Sequence, residues 1–476
     1  MNATLTIPRE TETGEIQRIF KAQQANQYHI ANTNASQRIA KLKKLHQLVL
    51  KYRPQIKEAL FNDYRKHPSE VDLTEIYPIT SEIKHAKSHV HRWMRKQKVK
   101  TPLAMMGSSS RIKYEPKGVV MIISPWNFPF NLSFGPLVSA IAAGNAIILK
   151  PSEHTPHASA LMKEMLAEAF DENEIAVIEG GVQTSTDLLK LPFNHIFFTG
   201  APSIGKIVMG AAAKHLTSVT LELGGKSPTI IDETANINDA ARRVAWGKYV
   251  NNGQVCIAPD YVFVHESKKQ AFIEKVKSYI QSFYSEDASK ETSYARIVNN
   301  HHFKRVKGYI DDAVAKGARI EAGGQFDNDQ DFIAPTVITD VSMESTLMTE
   351  EIFGPVMPVY GFTNLEEVIK EVNSREKPLA LYIYSKSKKN INHIIANTRA
   401  GGTCINHNAV HFFNTNLPFG GSNNSGIGKG HGFYGFEAFS NPRGILKQHI
   451  PNALEKLLPP YNNTKQKLID LTIKYF

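Results

Sequence analysis

The sequence predicts an α/β protein with parallel, helix-covered sheets and more than one domain. Three observations predict it. The chain has 476 residues, more than one ordinary hydrophobic core accommodates. Hydrophobic residues make up 42% and charged residues 21%, which marks a globular rather than a disordered chain. From Gly118 onward, short apolar runs alternate with helical stretches, the pattern of strands joined by crossover helices.

Before that point, Ser36 to about Asp63 reads as helix. Ile39, Leu42, Leu45, Val49 and Ala59 share one face, Ser36 suits an N-cap, and Pro54 marks a kink or a new start. A first series then runs as strand 118–124, helix 134–143, strand 145–150, helix 157–170, strand 175–179, helix 184–190, strand 195–199, helix 203–214 and strand 218–223. A second begins near Asn236 with helix 237–249, strand 261–266 and helix 267–284. It continues with strand 356–362, helix 365–374, strand 379–384 and helix 388–398. Parallel sheets of this kind bind ligands beyond the carboxyl ends of their strands.

Several classes are excluded. The apolar stretch Val119–Leu149 is broken by Pro125, Asn127, Pro129, Asn131, Pro136 and Asn145, so no membrane span is expected. The opening MNATLTIPRE has no basic or apolar signal region, and no secretory signal is expected. Two cysteines, Cys256 and Cys404, cannot build a disulfide framework, which fits a reducing, cytoplasmic compartment. The net charge of +11 is spread along the chain, which suits a solvated surface better than a nucleic-acid stripe. No cluster has metal-ligand spacing, so no metal is expected.

Two motifs mislead. Gly430–Gly435 reads GHGFYG, but no predicted strand precedes it and too little chain follows for a dinucleotide fingerprint; a packed Gly-rich loop is expected. GAPSIGKI, from Gly200, resembles a phosphate loop but ends on Ile207 where a Mg²⁺-binding hydroxyl is needed. Its strand–glycine–helix order still offers a helix N-terminus to an anion.

Three residues suggest chemistry. Cys256, in NNGQVCIAPD, sits between Gly253 and Pro259 on an expected loop, although a lone Cys is more often a buried small hydrophobe. Glu222 ends an apolar strand, where a carboxylate needs a partner or a task; an exposed edge is the bland alternative. Asn127, stiffened by Pro125 and Pro129, can donate to an oxyanion or simply form a turn. Cys404 lies in an apolar stretch with no obvious base beside it and is expected to be structural.

PWNFPF, KPSE, FTG with GK five residues on, LELGGKSP, GQVCIAPDY, EEIFGPV, and LPFGG followed by SGIGKGHG occur in order. Jointly they resemble the aldehyde dehydrogenase family over nearly the whole chain. GQVCIAPDYV and the PPY-containing tail look most like its class 3 branch. The resemblance implies two doubly wound Rossmann-like α/β domains with a small oligomerisation or bridging segment. It places an NAD(P)-binding domain over residues 1–222 with a bridging hairpin near 99–115, and a catalytic domain over 223–406. A return segment and tail occupy 407–476.

The resemblance also implies roles. Cys256 would be the nucleophile, Glu222 the general base, and Asn127 with the Cys256 N–H the oxyanion hole. Lys150 and Glu153 would hold the adenosine ribose, while Gly200 and Gly205 let the pyrophosphate approach. Trp126, Glu351 and Phe353 would complete the cofactor site, the last two on the nicotinamide ribose. Ala201 replaces a polar residue common in relatives, which removes one phosphate contact. Glu153 favours NAD, with NADP as the alternative. The implied activity oxidises a long-chain, aromatic or polyene aldehyde to an acid in a homodimer. A CoA-acylating enzyme and an inactive scaffold are the rivals. The tail, with Lys465, Lys467 and Lys474 among Leu468, Ile469, Leu471 and Ile473, suits either a membrane surface or packing on a subunit.

Overall fold

The structure, a computed structural model, describes residues 10–451 and 453–475. The expected absence of a signal concerns residues that, Glu10 apart, lie outside those described. Two large sheets organise the molecule. In the first, five parallel strands lie in the order Ser218–Leu223, His195–Gly200, Val119–Ile123, Ala146–Lys150, Ile175–Val177. The chain starts in the middle, winds one way, then crosses to the other side, so strand order reverses beside Val119–Ile123. A loop opening at that reversal is where such sheets bind ligands. A short strand, Gly426–Ile427, adds antiparallel to the outer edge and pairs Gly426 with Glu222.

The second sheet has seven strands, from Arg319–Ala322 through Thr336–Thr339, Val356–Phe362, Tyr261–His265, Pro228–Ile231 and Ala380–Tyr384 to Gly402–Ile405. All pairs are parallel except that of the edge strand Arg319–Ala322. Their central residues are fully buried, as expected of strands covered by helices on both faces. Near the span read as a hairpin, Gln97–Val99 pairs antiparallel with Ser108–Pro116, and Ser440–Gln448 completes a small three-stranded sheet.

Several expectations shift. The helix read from Ser36 to Asp63 is two, Ala35–Lys51 and Arg53–Tyr64, with Pro54 in the first turn of the second. Its cap is Asn34, not Ser36, because Asn34 and Gln37 exchange side-chain and backbone hydrogen bonds in a capping box. The helix expected from 134 begins at Pro129, where proline suits the first turn and the Glu75 carboxylate accepts from Asn131 N–H at 2.7 Å. Helices Thr13–Ala31, Tyr77–Trp93 and Asn300–Ala315 were not anticipated. Among the described residues no helix is long and apolar enough to cross a membrane. The tail folds as the helix Asn463–Tyr475, which buries none of its residues.

Candidate active site

The strand Val119–Ile123 is followed by Pro125, Trp126 and Asn127, and the strand His195–Gly200 by Ala201 and Pro202. Both turns open at the strand-order reversal, onto a cavity of about 800 Å³. Cys256, Glu222, Asn127, Trp126, Gly200, Glu351 and Phe353 all line it. Lys150, Glu153 and Gly205 do not. Lys150 is buried and bonds Glu153 at 3.0 Å. Gly205 faces the sheet, where a Cβ would meet Leu223 Cδ2 at 2.7 Å.

Cys256 follows a backbone turn that few residues tolerate. After the helix Ile237–Tyr249, Asn251 and Asn252 take φ of 51° and 57°, and Gly253 of 72°. Asparagine and glycine are the residues that enter this left-handed region readily. Gln254 then clamps the loop: its amide donates to Asn251 O at 3.1 Å and Arg296 O at 3.0 Å, and accepts from Val298 N–H at 3.0 Å. Its backbone carbonyl accepts from Asn127 Nδ2 at 3.0 Å, tying the amide loop to the cysteine loop. The Asn127 carbonyl accepts from Tyr64 Oη at 3.0 Å and Asn251 Nδ2 at 2.8 Å. One Asn127 N–H is thus committed, and the other remains.

Burial, with smaller contributions from Glu351 and Glu222, pushes the Cys256 thiol up; the Cys256 and Ile257 N–H groups draw it back. Burial also pushes the Glu222 carboxyl up to about 8, against the pull of Lys429. Its Oε1 is buried without a hydrogen-bond partner among the described residues. Gly430 matters here, since a Cβ would lie 2.7 Å from that oxygen. The GHGFYG stretch is therefore a packed loop, opening the short helix Gly432–Ala438. Glu351 is likewise raised to about 8 by burial, with Asp260 adding to the rise and the Gly225 N–H opposing it.

The far side of the cavity holds the helix Pro202–Ala213, whose cap residue Ala201 makes no side-chain cap bond. Ser203 and Lys206 stand on the wall beside that helix start. The Thr199 hydroxyl, at the strand end, is buried and unpaired among the described residues. Trp126 and Phe353 meet edge-on at 5.3 Å. An uncapped helix start with a nearby lysine suits a pyrophosphate, and the aromatic pair suits a flat ring, so these residues fit a nicotinamide dinucleotide.

Sequence reading missed Thr199, Lys206, Gln254 and the carboxylate of Glu70, which accepts from Asn251 N–H at 3.1 Å. The Asn-Asn-Gly run was the available signal for the strained turn. Cys404 needs a correction: a base does lie beside it, with His411 Nδ1 3.3 Å from its sulfur. Burial lowers His411 to about 4 and raises the Cys404 thiol, so the pair stays neutral.

The parallel sheets and the cysteine-, glutamate- and asparagine-lined cavity define an α/β enzyme with a half-buried thiol at its site. The chain belongs to the aldehyde dehydrogenase family, whose model matches residues 2–445. It is 43% identical over 415 residues to the dimeric NADP-preferring aldehyde dehydrogenase of Rattus norvegicus, covering 87% of this chain and 90% of that one. It is 42% identical over 420 residues to the 4,4'-diaponeurosporen-aldehyde dehydrogenase of Staphylococcus aureus, covering 88% and 91%. The solved substrate-bound state of Staphylococcus aureus AldH superposes with a TM-score of 0.92 at 40% identity, covering 96% and 99%. The expected likeness to the class 3 branch is borne out, and the protein is an oxidoreductase of the aldehyde dehydrogenase type.

Proposed function

We propose that the protein oxidises an apolar aldehyde to its carboxylic acid through a thioester on Cys256, with NAD as the preferred cofactor and NADP as the alternative. The observation that carries this is the meeting of Cys256, Glu222 and Asn127 on one cavity that also takes in an uncapped helix start. Ser203, Lys206, Trp126, Glu351 and Phe353 would hold the cofactor, with Lys150 and Glu153 on the adenosine side. Bound there, an oxidised nicotinamide would supply a positive charge and the hydride acceptor.

The residues act as follows. Burial keeps the Cys256 thiol protonated at rest, and Glu222 takes its proton as the aldehyde arrives. The sulfur attacks the carbonyl carbon. The remaining Asn127 N–H and the Cys256 N–H face the oxyanion; removing one such donor costs about 3 kcal/mol of transition-state stabilisation. Once the thioester has formed, Glu222 releases the thiol proton to solvent, then deprotonates a water that attacks the thioester, and the acid leaves. Hydrolysis by a buried base separates this reading from a CoA-acylating one.

An apolar substrate is supported by the relative named for a polyene aldehyde. A homodimer is supported by the relative named as dimeric, and a cytoplasmic location by the scarcity of cysteine. Absorbance at 340 nm with aldehydes of rising chain length, aromatic and polyene members included, tests the reading with NAD and NADP in parallel. Specificity constants that rise with apolar size are expected. Cys256→Ala should abolish turnover while retaining cofactor binding, and normal turnover in that variant would overturn the proposal.

A further inference from the structure

Behind Glu222 lies a second buried carboxylate. Glu82 sits on the helix Tyr77–Trp93 and is 6% exposed. Its Oε1 accepts a 2.6 Å hydrogen bond from the Gly432 N–H, tying the helix to the Gly-rich loop. Its Oε2 is buried with no hydrogen-bond partner among the described residues, as is Oε1 of Glu222. Both residues line one narrow cleft of about 30 Å³, walled by Leu132, Phe197 and Phe412. Glu222 also lines the large cavity that holds Cys256.

An unpaired carboxylate oxygen is unfavourable inside a protein unless something meets it. The cleft has room for about two waters, and two unpaired oxygens are the partners such waters require. The tie to Gly432 uses only one oxygen of Glu82, so the fold has no evident need of the other.

We propose that Glu82 receives, through water in this cleft, the proton that Glu222 takes during thioester hydrolysis. The inference rests on the reading of Glu222 as general base. In the step, an O–H bond of the attacking water breaks, its oxygen bonds the thioester carbon, and the proton bonds Glu222. The C–S bond then breaks, and the Cys256 thiolate takes back the proton of the new carboxylic acid, which leaves as carboxylate. The proton moves on through cleft water to Glu82 Oε2 and from there to solvent, leaving Glu222 a free base for the next turnover. Glu82 acts through Glu222 and is a positioning residue for the proton.

Burial raises both carboxyls to neighbouring values, Glu222 to about 8 and Glu82 to about 7, so a proton passes between them without a large uphill step. The other ionisable groups around them are Lys429 and His431 on the Gly-rich loop, His85 on the Glu82 helix, Glu75 from the preceding turn, and Cys256 across from Glu222. Burial lowers His431 to about 4, which keeps it neutral.

Pre-steady-state turnover of Glu82→Gln, Glu82→Asp and Glu222→Gln tests the proposal. Glutamine at 82 still accepts from Gly432 but holds no proton at Oε2. The expected result is a burst of cofactor reduction with wild-type rate and amplitude, then a steady state at least about tenfold slower. KM stays unchanged, and the lower ionisation disappears from the pH profile of kcat. Glu82→Asp should recover part of the rate. Wild-type steady-state rate and profile in Glu82→Gln overturn the proposal. So does a parallel loss of burst, steady state and Tm in both Glu82 variants, the signature of a structural tie alone. Undiminished turnover of Glu222→Gln would instead remove Glu222 as the base, a separate failure from that of the relay.

Discussion

Glu222 is held where its charge is disfavoured. Burial holds its folded pKa at about 8, above the ordinary carboxylate value of 4.5, so the ionised group weakens the fold once the pH exceeds the unfolded value. The penalty grows up to the folded value and is then complete. Glu222→Gln removes it. The Tm of this variant should match wild type near pH 4, rise above it as the pH climbs from about 4.5 to 8, and keep that lead at higher pH, as read by calorimetry; a less stable variant at pH 8 would contradict this. Hydrolysis runs the other way, because the base is free only above its own pKa and the rate should fall as the pH drops through 8. In Glu222→Gln, acyl-enzyme should accumulate and appear as an adduct in intact mass spectrometry. Cys256, Glu222 and Asn127 were legible because each sits beside glycines or prolines that punctuate an apolar run. Gln254 and Glu70 were not, since their work lies in hydrogen bonds to residues distant in the chain.

The elements that hold the site are held in turn by close packing. The helix Pro202–Ala213 approaches the strand Ser218–Leu223 at Gly205, where a Cβ would meet Leu223 Cδ2 at 2.7 Å. Gly205→Val should lower stability by about 1–3 kcal/mol in urea unfolding. It should also weaken dinucleotide binding, because the helix start moves with it. The turn before the helix Tyr77–Trp93 buries a second anchor. Lys66 and Glu75 pair at 3.4 Å, both fully buried, and Lys66 Nζ stands 4.1 Å over the Phe128 ring. Glu75 also accepts from Asn131 N–H, at the start of the helix after Asn127. Lys66→Met leaves Glu75 buried without its cation, which should cost about 3–5 kcal/mol of stability. The Lys66–Glu75 pair was not visible in the sequence, where both resemble ordinary surface charges. The helix Tyr77–Trp93 could have been found, because Ile79, Ile83, Ala86, Val90 and Trp93 keep a helical spacing.

At the scale of the molecule, two sheets meet around the site and the carboxyl-terminal segment returns to close it. Gly426–Ile427 pairs with the strand carrying Glu222, and Ser440–Gln448 crosses to the small sheet of Gln97–Val99 and Ser108–Pro116. The tail beyond adds little to this core: Leu468, Leu471 and Ile473 are 45%, 54% and 77% exposed. Deleting residues 459–476 should therefore leave the Tm unchanged, while any loss of dimerisation or vesicle binding would reveal the tail's partner. Sequence alone determined the α/β class, the succession of most strands along the chain and the three residues that meet at the cavity, because period, punctuation and motif are local properties of the chain. Only the tertiary structure decided that Glu222 is buried, that Asn127 and Gln254 join two loops, and that Glu82 shares the cleft behind Glu222. Those facts depend on which strands become neighbours and on how far each side chain is taken from water, and no stretch of sequence specifies either by itself.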